Sequence, residues 1–197
     1  MIEKEMKYYT PGIGKNLIKS ASLYASEAHK GQFRKGGKNI PYITHPVAVM
    51  NIVKKRGGSI EAQIASVLHD VVEDCGGYTV KDISTHFGTA IALLVDYVSE
   101  TDKSVTWKER KIRYINRLKQ APRDAVIVSA GDKLHNLRCT EKDFEEEGES
   151  AFNMFNSSAD GQFWFYESLI EIYKENGLNN YSDEMEEILK KVKSEFI

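Results

Sequence analysis

Hydrophobic positions along most of this chain recur with a helical rather than an alternating period. Leu17, Ala21, Tyr24, Ala25 and Ala28 return at intervals of three and four, which predicts an amphipathic helix over 13–28. The stretch "HKGQFRKGGKNIPYI" breaks any period with its glycines and proline and reads as a loop. Thr44 stands where an N-cap belongs and Pro46 near the first helical position, so a helix should run to Arg56 and stop at Gly57 and Gly58. Ser59 caps the next predicted helix, whose Ile60, Ile64, Val67, Leu68, Val71 and Val72 make a broad apolar face that must be buried before the stop at Gly76 and Gly77.

Two shorter helices follow over 79–87 and 89–98, separated by Gly88, and a longer charged one over 106–119. In "DAVIVSAGDKLHNLR" the run 125–128 would suit a short buried strand. Val126, Ala130, Leu134 and Leu137 keep a helical period through it, so a helix is expected. Residues 140–160 are polar and contain glycine, and read as a mobile loop or short helix. Helices over 162–175 and 182–196, on either side of "NGLNNY", close the chain. The expectation is an all-α fold, a single-domain bundle of about eight or more helices spanning 1–197, with no internal repeat.

Composition narrows the function classes. A net charge of -2 provides no global basic field, so nucleic acid is not an expected partner and recognition must be local. Cys75 and Cys139 give neither a disulfide framework nor a metal-binding cysteine pair, as befits a reducing cytoplasm. "MIEKEMKYYT" has no apolar signal core, and nothing approaches the roughly 18 apolar residues of a membrane span, so no membrane role is expected. Oligomeric state is left open.

The chemistry concentrates in "LHDVVEDCGG", where His69, Asp70, Glu73 and Asp74 fall together at the predicted end of an apolar helix. Carboxylates there oppose the helix dipole by roughly 0.3 to 1 kcal/mol each. Two such charges about 4 Å apart repel by around 4 kcal/mol at an effective dielectric of 20, so something positive should lie nearby. Alone, the cluster also fits a solvated acidic helix end. His45 at the start of another helix, and Asp132 inside an apolar segment where a lone carboxylate is costly, change that balance. Imidazole and carboxylate together suit a divalent transition metal that keeps open water positions.

The pattern His45, His69–Asp70, Asp132 resembles the HD superfamily of metal-dependent phosphohydrolases. The words "AHKGQFRKGGKNIPYITHP", "LHDVVED" and "GDKLHNLR" resemble, in order, the hydrolase domain of the RelA/SpoT proteins, with a motif core over 22–138 and less diagnostic C-terminal helices over 162–196. "TDKSVTWKERK" looks more like the stand-alone small alarmone hydrolases. The resemblance implies Mn²⁺-dependent removal of the 3′-pyrophosphate from guanosine 3′,5′-bis(diphosphate) and its pentaphosphate, releasing pyrophosphate with GDP or GTP. It implies His45, His69, Asp70 and Asp132 as metal ligands, and Glu73 and Asp74 as the acidic pair that handles protons and the attacking water. Arg34 would stack on the purine, Lys35 would face phosphate and Asn136 would contact the nucleotide, with Lys103 and Arg138 as further phosphate partners.

Trp164 and Tyr166 could close a purine pocket or belong to the core, and His29, His86 and His135 are left out of the metal shell. Cys75 and Cys139 replace threonines common in the long relatives and leave base and ribose preference open. "GGK" over 36–38 is expected to reshape the loop that carries Arg34. Alternatives keep the metal chemistry and change the substrate to adenine alarmones, (p)ppApp, NADPH 2′-phosphate or another nucleotide phosphate ester, or reduce the protein to a catalytically silent nucleotide-binding regulator.

Overall fold

Local periodicity becomes helix almost everywhere. The computed structural model describes residues 11–35 and 39–195, so the 36–38 tripeptide lies outside the described residues. Among the described residues there are ten α-helices, one 3-10 helix and no strand beyond an isolated bridge between Phe33 and Pro41. The fold is all-α, as the periodicity predicts.

The core is built around α3 (Ile60–Leu68), in which every residue from Ala62 to Leu68 is buried. Around it pack α1 (Pro11–Ala28), α2 (Thr44–Lys55), α6 (Thr89–Val98) and α8 (Arg123–Glu147). Each Ile, Val or Leu side chain fully buried in such a core stabilises it by about 1.5 to 3 kcal/mol. The Val126 period is indeed helical, and the strand alternative for 125–128 is not realised. α8 can approach α2 because Gly131 has no side chain: a Cβ there would lie 2.7 Å from Val53 Cγ2 and 3.4 Å from Val49 Cγ1. That close approach sets Asp132, the next residue, against the first turn of α2.

Caps at Ser59, Thr79 and Thr106 form as their residue types predict, each side chain accepting from a backbone N–H at the start of α3, α5 (Val80–Phe87) and α7 (Trp107–Leu118). Two expectations are corrected. Thr44 is not a cap: it lies inside α2, and its hydroxyl donates to Pro41 O at 2.8 Å. The helix expected from Ser59 to the glycines is broken after Leu68 and resumes as the single turn α4 (Val71–Asp74). His69 Nδ1 lies 2.8 Å from Ser66 O, the carbonyl that Asp70 N–H would occupy in an unbroken helix. The functional side chain itself takes the backbone acceptor, which no helix period can announce. In the segment 140–160 the short-helix alternative is the one realised: α8 continues to Glu147, and a 3-10 helix (Gly148–Met154) packs Ala151 and Phe152 into the core. α9 (Ala159–Glu175) and α10 (Asn179–Glu195) complete the described chain.

Candidate metal centre and nucleotide pocket

The helix break matters because it turns two adjacent side chains to one point. His45 enters from α2, His69 and Asp70 from the break, and Asp132 from α8. One ligand atom from each of His45, His69 and Asp132 lies within 4.8 Å of the others. Asp70 joins them, its Oδ2 3.5 Å from His45 Nε2 and 3.2 Å from His69 Nε2. Asp132 Oδ1 is 3.2 Å from His45 Nε2 and 3.6 Å from His69 Nε2.

These residues fit a cation. Ser66 O can only accept, so His69 Nδ1 carries the proton and Nε2 presents its lone pair. That Nε2 is buried with no hydrogen-bond partner, facing carboxylate oxygens that are also electron-rich. A positive charge between them resolves the conflict, and two imidazoles with carboxylates are the donor set of a divalent transition metal. The charge balance agrees. Although burial opposes it, the carboxylates of Asp70 and Asp132 raise the affinity of His69 for a proton well above the ordinary value. Asp132, despite its burial, is held well below the usual carboxylate range by Lys133, whose Nζ lies 2.6 Å from Oδ2, and by the two histidines.

Beside the convergence point stand Glu73 and Asp74. Glu73 Oε2 accepts from the backbone N–H of Glu100 at 2.8 Å, and burial raises its carboxyl above the ordinary value. The positive partner that the acid cluster requires is Lys103, 3.1 Å from Glu73 Oε1 and 3.4 Å from Asp74 Oδ1. Arg34 Nη2 donates to Asn136 Oδ1 at 3.1 Å, and Asn136 Nδ2 donates to Asp132 Oδ1 at 2.6 Å, so the loop arginine is tied by one side chain to the centre. Lys35 is exposed on the same loop. Arg138 is engaged elsewhere: its Nε donates to Glu184 Oε1 on α10 at 2.7 Å. Trp164, half-buried where α9 meets α7, packs on Trp107 and under the Lys108 ammonium, while Tyr166 is buried where it feels the charges of Lys133, Asp132 and Arg34.

Sequence reasoning missed two neighbours, Tyr42 and Lys133, and left a third, His135, outside the metal shell. Tyr42 donates its hydroxyl to Asp70 Oδ2 at 2.7 Å, lies 3.3 Å from Asp74 Oδ2, and carries the Arg34 guanidinium 5.6 Å above its ring. Lys133 is the counter-charge of Asp132. His135 Nδ1 sits 2.8 Å from His45 Nδ1. Two of them had a signal: Lys133 in the need of buried Asp132 for a partner, and His135 in its spacing of three residues from Asp132. His29 stacks on Tyr42 with ring centroids 4.7 Å apart and has Cys75 Sγ 3.3 Å from Nδ1, whereas His86 packs among Tyr24 and Phe87. Burial, then the Asp74 charge, pushes the Cys75 thiol up to about 11, so it stays neutral beneath the acidic turn.

The HD domain family matches residues 21–158. The chain is 36% identical over 137 residues to the guanosine-3′,5′-bis(diphosphate) 3′-pyrophosphohydrolase MESH1 of Xenopus tropicalis, a match covering 66% of this chain and 75% of that protein. It is 35% identical over 136 residues to a probable GTP pyrophosphokinase of Mycobacterium leprae, covering 67% of this chain but only 17% of that longer protein. A solved structure described by the words "A metazoan ortholog of SpoT hydrolyzes ppGpp and plays a role in starvation responses" superimposes with a TM-score of 0.70 at 24% identity, over 94% of this chain and 96% of that one, and shows the shared fold. The chain belongs to the HD domain family, and with these relatives it is an enzyme, a metal-dependent hydrolase. Among the described residues no helix is long and apolar enough to cross a membrane.

Proposed function

We propose that this chain, acting as one domain, removes the 3′-pyrophosphate from guanosine 3′,5′-bis(diphosphate) and its pentaphosphate, with Mn²⁺ as the ion and pyrophosphate with GDP or GTP as products. The observation that carries this reading is the convergence of His45, His69 and Asp132, with Asp70, at a point flanked by the Glu73–Asp74 pair. The MESH1 relative that bears the name of this activity supports it.

His45, His69, Asp70 and Asp132 would hold the ion, which supplies Lewis acidity toward water and a phosphoryl oxygen when bound. Glu73, with a carboxyl that burial makes more basic, and Asp74 take the proton of the attacking water. Lys103 bridges that pair and would meet phosphate oxygens of the substrate. Arg34 offers its guanidinium plane to the purine, Lys35 offers a point charge to phosphate, and Asn136 fixes Arg34 toward the nucleotide. Arg138 reaches phosphate only by leaving Glu184.

Product analysis in ¹⁸O-water tests the reaction. Metal-loaded protein should release pyrophosphate that carries the solvent oxygen and leave the 5′ phosphates unlabelled. Orthophosphate as the sole first product, or GTP hydrolysed as fast as its 3′-pyrophosphorylated form, would overturn the assignment.

A further inference from the structure

His45 and His69 turn Nε2 toward the same carboxylates but differ in what holds the other ring nitrogen. The Ser66 carbonyl can only accept, so it forces the proton of His69 onto Nδ1 and leaves Nε2 free. His45 Nδ1 faces another imidazole nitrogen, His135 Nδ1, at 2.8 Å. One proton occupies that contact. If His135 donates it, His45 Nδ1 must accept, and the proton on His45 then sits on Nε2, where it blocks ligation. If His45 donates it, Nε2 is bare and can bind a metal.

We propose that His135 is a positioning residue that sets the metal-binding tautomer of His45, accepting the His45 Nδ1 proton on its own Nδ1 while its own proton sits on Nε2. This rests on the reading of His45 as a metal ligand. His135 follows Asp132 by three residues on α8, so one rigid helix supplies both a carboxylate of the centre and the group that orients a histidine from α2. The rings are 4.9 Å apart at a tilt of 51°. The only other partner of that His135 nitrogen among the described contacts is the weak one to Cys139 Sγ at 3.9 Å. His135 itself stands outside the converging ligand atoms, because its Nδ1 meets the far side of the His45 ring. Partners that fix a ligating histidine in this way change metal affinity about 10- to 100-fold when removed.

The test uses Mn²⁺ alone, titrated by the electron paramagnetic resonance signal of the free ion, with circular dichroism to verify folding. His135→Phe keeps a ring of similar size without an acceptor and should weaken Mn²⁺ binding by about 10- to 100-fold. His135→Gln, which offers a carbonyl oxygen to the same N–H, should recover most of that loss. In ¹⁵N-histidine protein loaded with diamagnetic Cd²⁺, the His45 ring should show its proton on Nδ1. Unchanged affinity in His135→Phe, no recovery in His135→Gln, or a His45 proton on Nε2 in the loaded protein would overturn the inference. His45→Ala keeps the two readings apart: undiminished metal there refutes His45 as a ligand, whereas metal lost there but kept in His135→Phe refutes only the role of His135.

Discussion

The floor of the site and its rim are joined by one short chain of hydrogen bonds, Arg34 to Asn136 to Asp132, yet they are built on opposite terms. The floor residues His45, His69 and Asp132 are buried at 1%, 3% and 6% exposure and come from three segments locked into the core. Of the rim cations, Lys103 and Arg138 reach into water, with 51% and 42% of their side chains exposed, and each of these two is already paired with an acid. A charge in the floor has no water to fall back on, so every partner there matters. A charge on the rim exchanges one partner for another, and exposed pairs of this kind are worth about 0 to 1 kcal/mol. The difference predicts a gradient of mutational effects from floor to rim.

The largest effect should come from the floor. His69→Ala removes the one nitrogen whose lone pair is fixed by a backbone carbonyl, so bound metal and turnover should fall together, by more than the ~10- to 100-fold that outer partners carry. Glu73→Gln, beside the floor but outside the ligand set, should keep its metal and still lose about 100-fold in turnover. Elemental analysis of both proteins beside single-turnover rates reads the contrast. Full metal content in His69→Ala would break the floor as drawn, and metal loss in Glu73→Gln would move that residue into it.

The same contrast explains what the sequence could announce. The floor was legible because its chemistry is incompatible with its surroundings: Asp132 in an apolar helix and His69–Asp70 in an apolar run have few structural excuses. The helices were legible from Leu17–Ala28 and Val126–Leu137 because burial imposes a period. The break at His69 was not, because a side chain displaces a backbone hydrogen bond without any glycine or proline to mark it. Whether 140–160 is loop or short helix was not legible, since the 3-10 helix is held by folding back on α8, Phe152 against Phe144, and by Phe163 of α9. Rim partners were the least legible: that Arg138 meets Glu184 depends on how α10 lies against α8, and nothing local encodes that.

A smaller effect is expected where the rim touches the nucleotide. The Arg34 guanidinium is held over Tyr42 and by Asn136, so Arg34→Ala should raise the KM for the alarmone roughly tenfold, within the 0.5 to 2 kcal/mol of a cation–π contact, and leave Mn²⁺ affinity unchanged. Measuring KM and metal affinity on the same preparation tests whether floor and rim are separable. A parallel loss of metal would mean that the Asn136 link transmits strain to Asp132 and that the two regions act as one.

The smallest effect belongs to Glu184, which holds Arg138 at the outer rim and Arg56 behind it. Burial pushes the Glu184 carboxyl up, but hydrogen bonds from Arg138 and Arg56, and their charges, outweigh it and keep the group below its ordinary value. A carboxylate with a depressed folded-state pKa stabilises the fold above the unfolded value, about 4.3, and loses that contribution as pH falls through the folded one. With 32% of the side chain exposed the contribution should stay under about 1 kcal/mol. Glu184→Gln should therefore melt at most about 2 to 4 °C below the parent at neutral pH. The gap should close as acid protonates Glu184 in the parent. Because the variant also frees Arg138, its KM for the alarmone should fall or stay level at neutral pH. A melting gap that persists unchanged into acid would show that packing, not charge, is what Glu184 contributes, and a raised KM would show that Arg138 serves the rim only while Glu184 holds it.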